Sequence, residues 1–443
     1  MTTLIERISA AGADDAPICI GTGGNAMLRS DLLAQVQRLR NAWPALRGSG
    51  VVLEQGSLAD VCLGLSAFDG WCSDLWLCPP QLSAAQRQQY LLQTGCRFSW
   101  RDGRLTDIAG AVAAAAADDG RAEAPTQWWL TTSGTSGVPK LVGHTLVGLT
   151  HRTRASPFSR GLRWGLVYQP YRFAGLQVVL QALLSGALLV DATQAEADER
   201  IDAMLAHDVD ALSATPSLWR ALLMTGRLNL LPLKQLTLGG EIADQALLQT
   251  LRRMFPQAKI LHIYASTEAG VGFTVSDGRA GFPAIWLEPG AETPLAMRID
   301  ARGHLLVKPE HGAGQGIAAE LVDADGYLDT QDQVRQDGER IVFLGRAGGV
   351  INVGGNKVHP ETVEQAILAV PGILQARVYG KSSSMVGQLV VADVVADDPS
   401  NKGALQLAVM RHCLASLARH EVPAKLNWVD SIQAGDAGKM KRN

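Results

Sequence analysis

The stretch WWLTTSGTSGVPK, Trp128 to Lys140, is the key to reading this chain. Three apolar residues run into threonines, serines and two glycines, and the stretch closes on Pro139 and Lys140. An apolar run that breaks into small hydroxylated residues reads as a buried strand delivering a loop. Such a loop can be an ordinary surface connection. It can also cradle a phosphate, because glycines let backbone N–H groups converge on an anion while hydroxyls add donors and a lysine adds charge. The spacing is not that of the Walker loop, which needs four residues between its first glycine and a Gly-Lys-Ser/Thr ending. Here two residues separate Gly134 from Gly137, and Val138 and Pro139 precede the lysine.

The same pattern recurs along the chain. VVLEQ, LWLCPP, LLVDA, ALSATPS, QLTLGGE and KILHIYAS are short apolar runs ending in small or polar residues. Between them, Asp198 to Ala206 and Ala243 to Phe255 carry apolar residues at helical spacing. Strands alternating with helices predict an α/β domain with mostly parallel sheets, whose ligands sit beyond the carboxyl ends of the strands. Three loops then become candidates: Thr131–Lys140, Gly239–Glu241 and Ala265–Glu268. The alanine-rich stretch Asp107–Pro125 reads as a helix with a loose end.

From Arg298 onward the pattern shifts to hairpin signals, RIDARGHLLV and DQVRQDGERIVFLG, followed by the glycine pairs of RAGGVINVGG. Beyond these the chain reads helix (360–370), strand (373–379), strand (388–395), helix (404–418) and strand (425–429), with Pro360 opening its helix. A boundary near Gly345–Gly348 divides a large amino-terminal domain, residues 1–345, from a small α+β domain, residues 346–443.

Composition narrows the function classes. With 443 residues, 47% hydrophobic and 19% charged, the chain has enough apolar material for a large core. A net charge of −3 without a basic run points away from nucleic acid and acidic membranes. The amino terminus carries acids where a signal peptide has its apolar core. Phe173 to Val190 is the most membrane-like stretch, but Gln177, Gln181, Ser185 and Gly186 interrupt it, so it reads as a buried helix and a strand with no membrane span. Cys19, Cys62, Cys72, Cys78, Cys96 and Cys413 form no CxxC pair and read as buried thiols of a soluble, cytoplasmic protein.

Six segments stand in a fixed order: TTSGTSGVPK, LGGEIA, YASTEAG, GYLDTQD, LGRAGGVINVGGNKVHPETVE and GDAGKMKR. Their order and wording resemble the acyl-adenylate-forming superfamily of acyl- and aryl-CoA ligases, peptide-synthetase adenylation domains and luciferases. The resemblance runs from about Trp128 to Arg442. It implies a carboxylic acid attacking the α-phosphate of ATP to give acyl-AMP and pyrophosphate. A phosphopantetheine thiol, of CoA or an acyl carrier protein, then displaces AMP. The resemblance also implies a small domain that is mobile.

Residue by residue, Thr132, Ser133, Gly134, Thr135, Ser136, Gly137 and Lys140 match the phosphate loop. Gly239, Gly240 and Glu241 match the adenine-lining segment, and Tyr264 would offer an aromatic face or serve as a core tyrosine. Thr267 matches the donor to the α-phosphate and Glu268 the magnesium-binding (Mg2+) glutamate. Asp332 and Arg346 match the ribose-binding pair. Gln331 stands where the family has glycine, which keeps the aspartate and leaves the local turn open. Lys439 matches the catalytic lysine, although its arginine neighbour comes one residue early. Gly354 and Gly355 match the glycines lining the thiol tunnel.

The acid pocket of this family corresponds here to QPYRFAG, with Tyr171, Arg172, Phe173 and Gly175, and Ala265 nearby. Arg172 stands where histidine is usual, and no Asp is present to meet an α-amino group. An arginine among aromatics suits an aryl acid. A short or medium-chain aliphatic acid, a phosphoryl-transferring kinase and a non-catalytic adenylate-binding relative remain as alternatives.

Overall fold

The computed structural model describes residues 2–108, 124–132, 140–288, 290–293, 295–310, 314–383 and 387–432. Residues 109–123 of the stretch Asp107–Pro125 expected to be helical, the loop residues Ser133, Gly134, Thr135, Ser136 and Gly137, and Lys439 lie outside them, while Asp107 itself ends strand Arg104–Asp107.

The alternating strands and helices build two sheets. The eight-stranded sheet runs 270–275, 259–266, 235–239, 211–214, 163–166, 188–191, 17–20 and 26–28. Its interior pairings are parallel and only its edge strands are antiparallel. The six-stranded sheet runs 104–107, 96–101, 50–53, 74–77, 127–131 and 141–144, again parallel inside and antiparallel at both edges. Parallel strands buried on both faces need continuous apolar runs, and VVL, LWL and WWL supply them.

One hydrophobic core joins the two sheets. It takes Val51, Leu75 and Trp128 from one and Trp164 and Leu189 from the other, with helices Leu58–Phe68 and Phe173–Ser185 contributing to it. The first helix starts on a Ser57–Asp60 capping box. The second ends at Gly186, whose φ of +72° and approach to the Ala11 carbonyl exclude a side chain. The expectation of a buried helix followed by a strand over Phe173–Val190 is met.

A five-stranded sheet follows, in the order 282–283, 340–346, 328–337, 304–308 and 296–299, with every pairing antiparallel. After Arg346 the chain forms a small domain. Its sheet comprises 356–358, 351–353, 387–396 and 373–383, with 425–428 added parallel to 387–396, and it packs on helices Pro360–Leu368 and Lys402–Ser416. Pro360 does sit in the first turn of its helix. Among the described residues no helix is long and apolar enough to cross a membrane. All six cysteines are buried.

Candidate active site

Asp332 is held from two sides. The Tyr264 hydroxyl donates to its Oδ2 at 2.7 Å, and Arg346 Nε donates to its Oδ1 at 3.0 Å. Burial, and then the nearby Asp332 charge, hold the Tyr264 phenol well above its usual pKa, so it stays a donor. Each carboxylate oxygen keeps a second lone-pair direction for a ligand hydroxyl. The ring of Tyr264 lies nearly parallel to Phe273 at 5.0 Å and to Phe343 at 5.2 Å. Much of its aromatic surface is therefore covered by protein. Of the two sequence readings, the core tyrosine describes the ring, and the hydroxyl is the part that serves the site.

Gln331 keeps the turn that the missing glycine left open. Its φ is +59°, in the left-handed region, at a cost of roughly 1–2 kcal/mol for a residue with a side chain.

Asp332, Tyr264 and Arg346 line a cavity of about 340 Å³ together with Gly240, Glu241 and Ala265. The small domain closes one side with Glu361, Gln365 and Ile432. Gly240 turns at φ +80°, and Glu241 accepts the backbone N–H of Ser217 at 2.8 Å, anchoring the start of helix Pro216–Met224. Gly239 closes the strand that leads there, outside the cavity lining. Ala265 is still within strand Lys259–Ser266, so the loop expected to start there begins at Thr267.

One side chain ties the six-stranded sheet to the loop after strand Lys259–Ser266. His144, on the edge of the six-stranded sheet, contacts the Thr267 carbonyl at 2.6 Å, which requires a proton on Nε2. Burial lowers the His144 pKa, so the ring is neutral at physiological pH. Next to it, Glu268 fixes its backbone carbonyl on the Gly314 N–H at 3.1 Å. No described cation pairs with the Glu268 side chain within ion-pair distance. The ends of the 133–139 loop are closed by two bonds, Thr132 N–H to the Lys140 carbonyl and Lys140 N–H to Thr132 Oγ1, at 2.9 and 3.2 Å.

Other expected residues stand apart from this cavity. Tyr171 is buried beside Gln55 and Gly56 in a separate cavity of about 250 Å³. Arg172 reaches the root of the loop, with Nη1 3.4 Å from the Thr131 carbonyl. Phe173 packs in the core, 6.2 Å from the His144 ring. At Gly175 a Cβ would fall 2.2 Å from the Gln169 carbonyl, so this glycine admits the helix against backbone. Gly354 and Gly355 form the tip of the 351–353/356–358 hairpin, with φ of +58° and +89° and open space around them. They do not line the cavity.

Three contributions were not read from the sequence: His144, Glu361 and Gln365. A histidine in an apolar run and polar residues on a helix face carry no spacing signal.

Residues 104–296 match the sequence signature of the family described as AMP-binding enzyme, and residues 362–439 match its AMP-binding enzyme C-terminal domain. The two matches together take in more than half of the chain. The chain belongs to the AMP-binding enzyme family. An isonitrile lipopeptide synthase of Streptomyces coeruleorubidus is 28% identical over 346 residues, 70% of this chain and 23% of that protein. A 2-succinylbenzoate–CoA ligase of Staphylococcus epidermidis is 24% identical over 329 residues, 70% of this chain and 67% of the relative. The chain thus spans under a quarter of one curated relative and about two thirds of the other. Among solved structures, the anthranilate CoA ligase AuaEII in complex with anthranoyl-AMP shares the fold, with a TM-score of 0.77 over 99% of this chain and 95% of that one at 15% identity.

Proposed function

We propose that the protein is an ATP-dependent, AMP-forming ligase. It joins a carboxylic acid to AMP and then passes the acyl group to a phosphopantetheine thiol. The observation that carries this reading is the doubly held Asp332 at a cavity also lined by Gly240, Glu241 and Tyr264. A carboxylate fixed this way suits the vicinal hydroxyls of a ribose, and the glycine turn admits a flat base against backbone.

In this reading the 133–139 loop, with Thr132 and Lys140 at its closed ends, holds the β- and γ-phosphates. Thr267, oriented through its carbonyl by His144, donates to the α-phosphate. Glu268 suits Mg2+, because a half-buried carboxylate with no described ion-pair partner provides the hard oxygen ligand that such a cation needs. Bound there, the cation would neutralise phosphate charge. Lys439 belongs to the same step. Ile432, which lines the cavity, precedes it by seven residues, a span of up to ~23 Å of extended chain. The two reactants are anions, so catalysis rests on positioning and charge neutralisation.

We place the domain division at 345/346 and take the small domain to be mobile, with Gly354 and Gly355 serving the thiol half-reaction after it turns. The acid we favour is an aryl acid, supported by the 2-succinylbenzoate named for one relative and by Arg172 among aromatics. CoA and an acyl carrier protein are the acceptors to compare, in a cytoplasmic setting. The test is incubation with ATP, Mg2+, CoA or a phosphopantetheinylated carrier, and a panel of aryl and aliphatic acids. AMP, pyrophosphate and an acyl thioester are expected in equal amounts. Release of ADP in place of AMP would overturn the reading.

A further inference from the structure

Gln331 holds a left-handed backbone in the middle of a strand, directly before the aspartate that the site depends on. Among the described residues with a side chain, only Asp102, Asp208 and Gln331 have positive φ. Aspartate visits that region with help from its own short side chain, whereas glutamine has no such help. Something outside Gln331 must therefore hold it.

The contacts identify the holder. Asp329 Oδ1 accepts the Gln331 N–H at 2.8 Å. Across the ladder, His304 faces Gln333 while Leu306 faces Asp329, so the strand carrying Asp332 bulges between these two positions. Thr330 closes the same bulge, accepting the Asp332 N–H at 3.2 Å and donating to the Leu305 carbonyl at 2.7 Å. Asp329 is itself fixed, by Arg302 Nη2 at 2.8 Å and by His304 Nδ1 at 3.2 Å. Arg302 and His304 are held in turn by Asp300, which accepts both of their backbone N–H groups at 2.8 Å.

We propose that Asp329, anchored by Arg302 and His304, is the positioning residue that holds Gln331 left-handed and so aims Asp332 at the nucleotide. The proposal rests on reading Asp332 as the ribose ligand. Asp300, His304 and Asp329 are close enough to share a cation. Arg302, paired with both carboxylates, already supplies the positive charge there.

The test is the KM for ATP in acid-dependent pyrophosphate exchange, read beside the KM for the acid. Asp329→Ala raises the KM for ATP about ten-fold and leaves that for the acid unchanged. Asp329→Asn keeps Oδ1 for the Gln331 N–H but turns an NH2 toward Arg302 Nη2, so its KM falls between wild type and Asp329→Ala. Gln331→Gly in the Asp329→Ala background restores the KM to within about two-fold, because glycine takes the left-handed backbone unaided. Gln331→Val, which keeps every anchor but strains that backbone, raises the KM even where Asp329→Ala fails to fold. Asp332→Ala separates the two layers. An unchanged KM for ATP in that variant removes the ribose reading and the proposal with it. A raised KM there, with a normal KM in Asp329→Ala or no rescue by glycine, overturns the positioning role alone.

Discussion

The Tyr264 hydroxyl and Asp332 Oδ2 lie 2.7 Å apart, joining a strand of the large parallel sheet to one of the antiparallel sheet. Arg346 holds the other carboxylate oxygen. Hydrogen bonds to charged groups contribute about 1.5–3 kcal/mol. Tyr264→Phe should therefore raise the KM for ATP roughly ten-fold or more while the stacked ring preserves the fold. Steady-state kinetics with ATP varied checks this, and an unchanged KM with an unchanged melting temperature would contradict it.

Arg172 and Gly175 stand three residues apart and should behave differently. Arg172→Ala is expected to change which acids support pyrophosphate exchange while the apparent affinity for ATP holds. An equal loss for every acid would mark Arg172 as a brace for Thr131. Gly175→Ala forces a methyl against the Gln169 backbone, and overpacking of this kind costs about 1–3 kcal/mol. Its melting temperature should drop, with no change in acid preference.

The two half-reactions should separate by mutation. Lys439→Ala should cut adenylation by several orders of magnitude, since it removes charge from an electrostatically driven step. It should spare thioester formation from a supplied acyl-adenylate. Gly355→Leu should keep exchange and lose thioester formation. Both glycines have positive φ, so a defect confined to the turn would lower stability and weaken both halves alike. Thermal melting alongside the two assays decides between these outcomes.

Burial lowers the pKa of His144, His262 and His359. An unfolded histidine titrates near pH ~6.5. Below that pH the unfolded chain binds protons that these sites refuse, so stability should fall as pH drops through about 6.5 toward their folded values. Above it these residues add no pH dependence. Melting temperatures between about pH 7.5 and 5.5 should show this slope, and His144→Gln should reduce it. A flat profile would place these rings in a more solvated setting than the fold gives them.

The alternation of strands and helices, the hairpins after Arg298 and the Pro360 helix were legible because each is encoded locally, in period and turn residues. The division of the parallel strands between two sheets was not. VVL, WWL and LLV read alike, and strand order depends on which helices pack between them. Asp332 and Arg346 were legible as residue types in a motif, whereas their mutual bond was not. Gly175 carries an acid-pocket reading in the sequence, and the Gln169 carbonyl beside it adds a packing reason for the glycine that no sequence pattern shows. The left-handed Gln331 ran against local propensity, and the side chains that hold its turn, Asp329 and Thr330, could be recognised only in the folded strand.

Whether this cavity joins a carboxylic acid to AMP is read from pyrophosphate exchange into ATP, measured without any thiol. Exchange should require both Mg2+ and a carboxylic acid, be strongest with an aryl acid, and need far more ATP in Asp332→Ala. Absence of exchange with every acid, or ATP turnover that yields ADP, would contradict it.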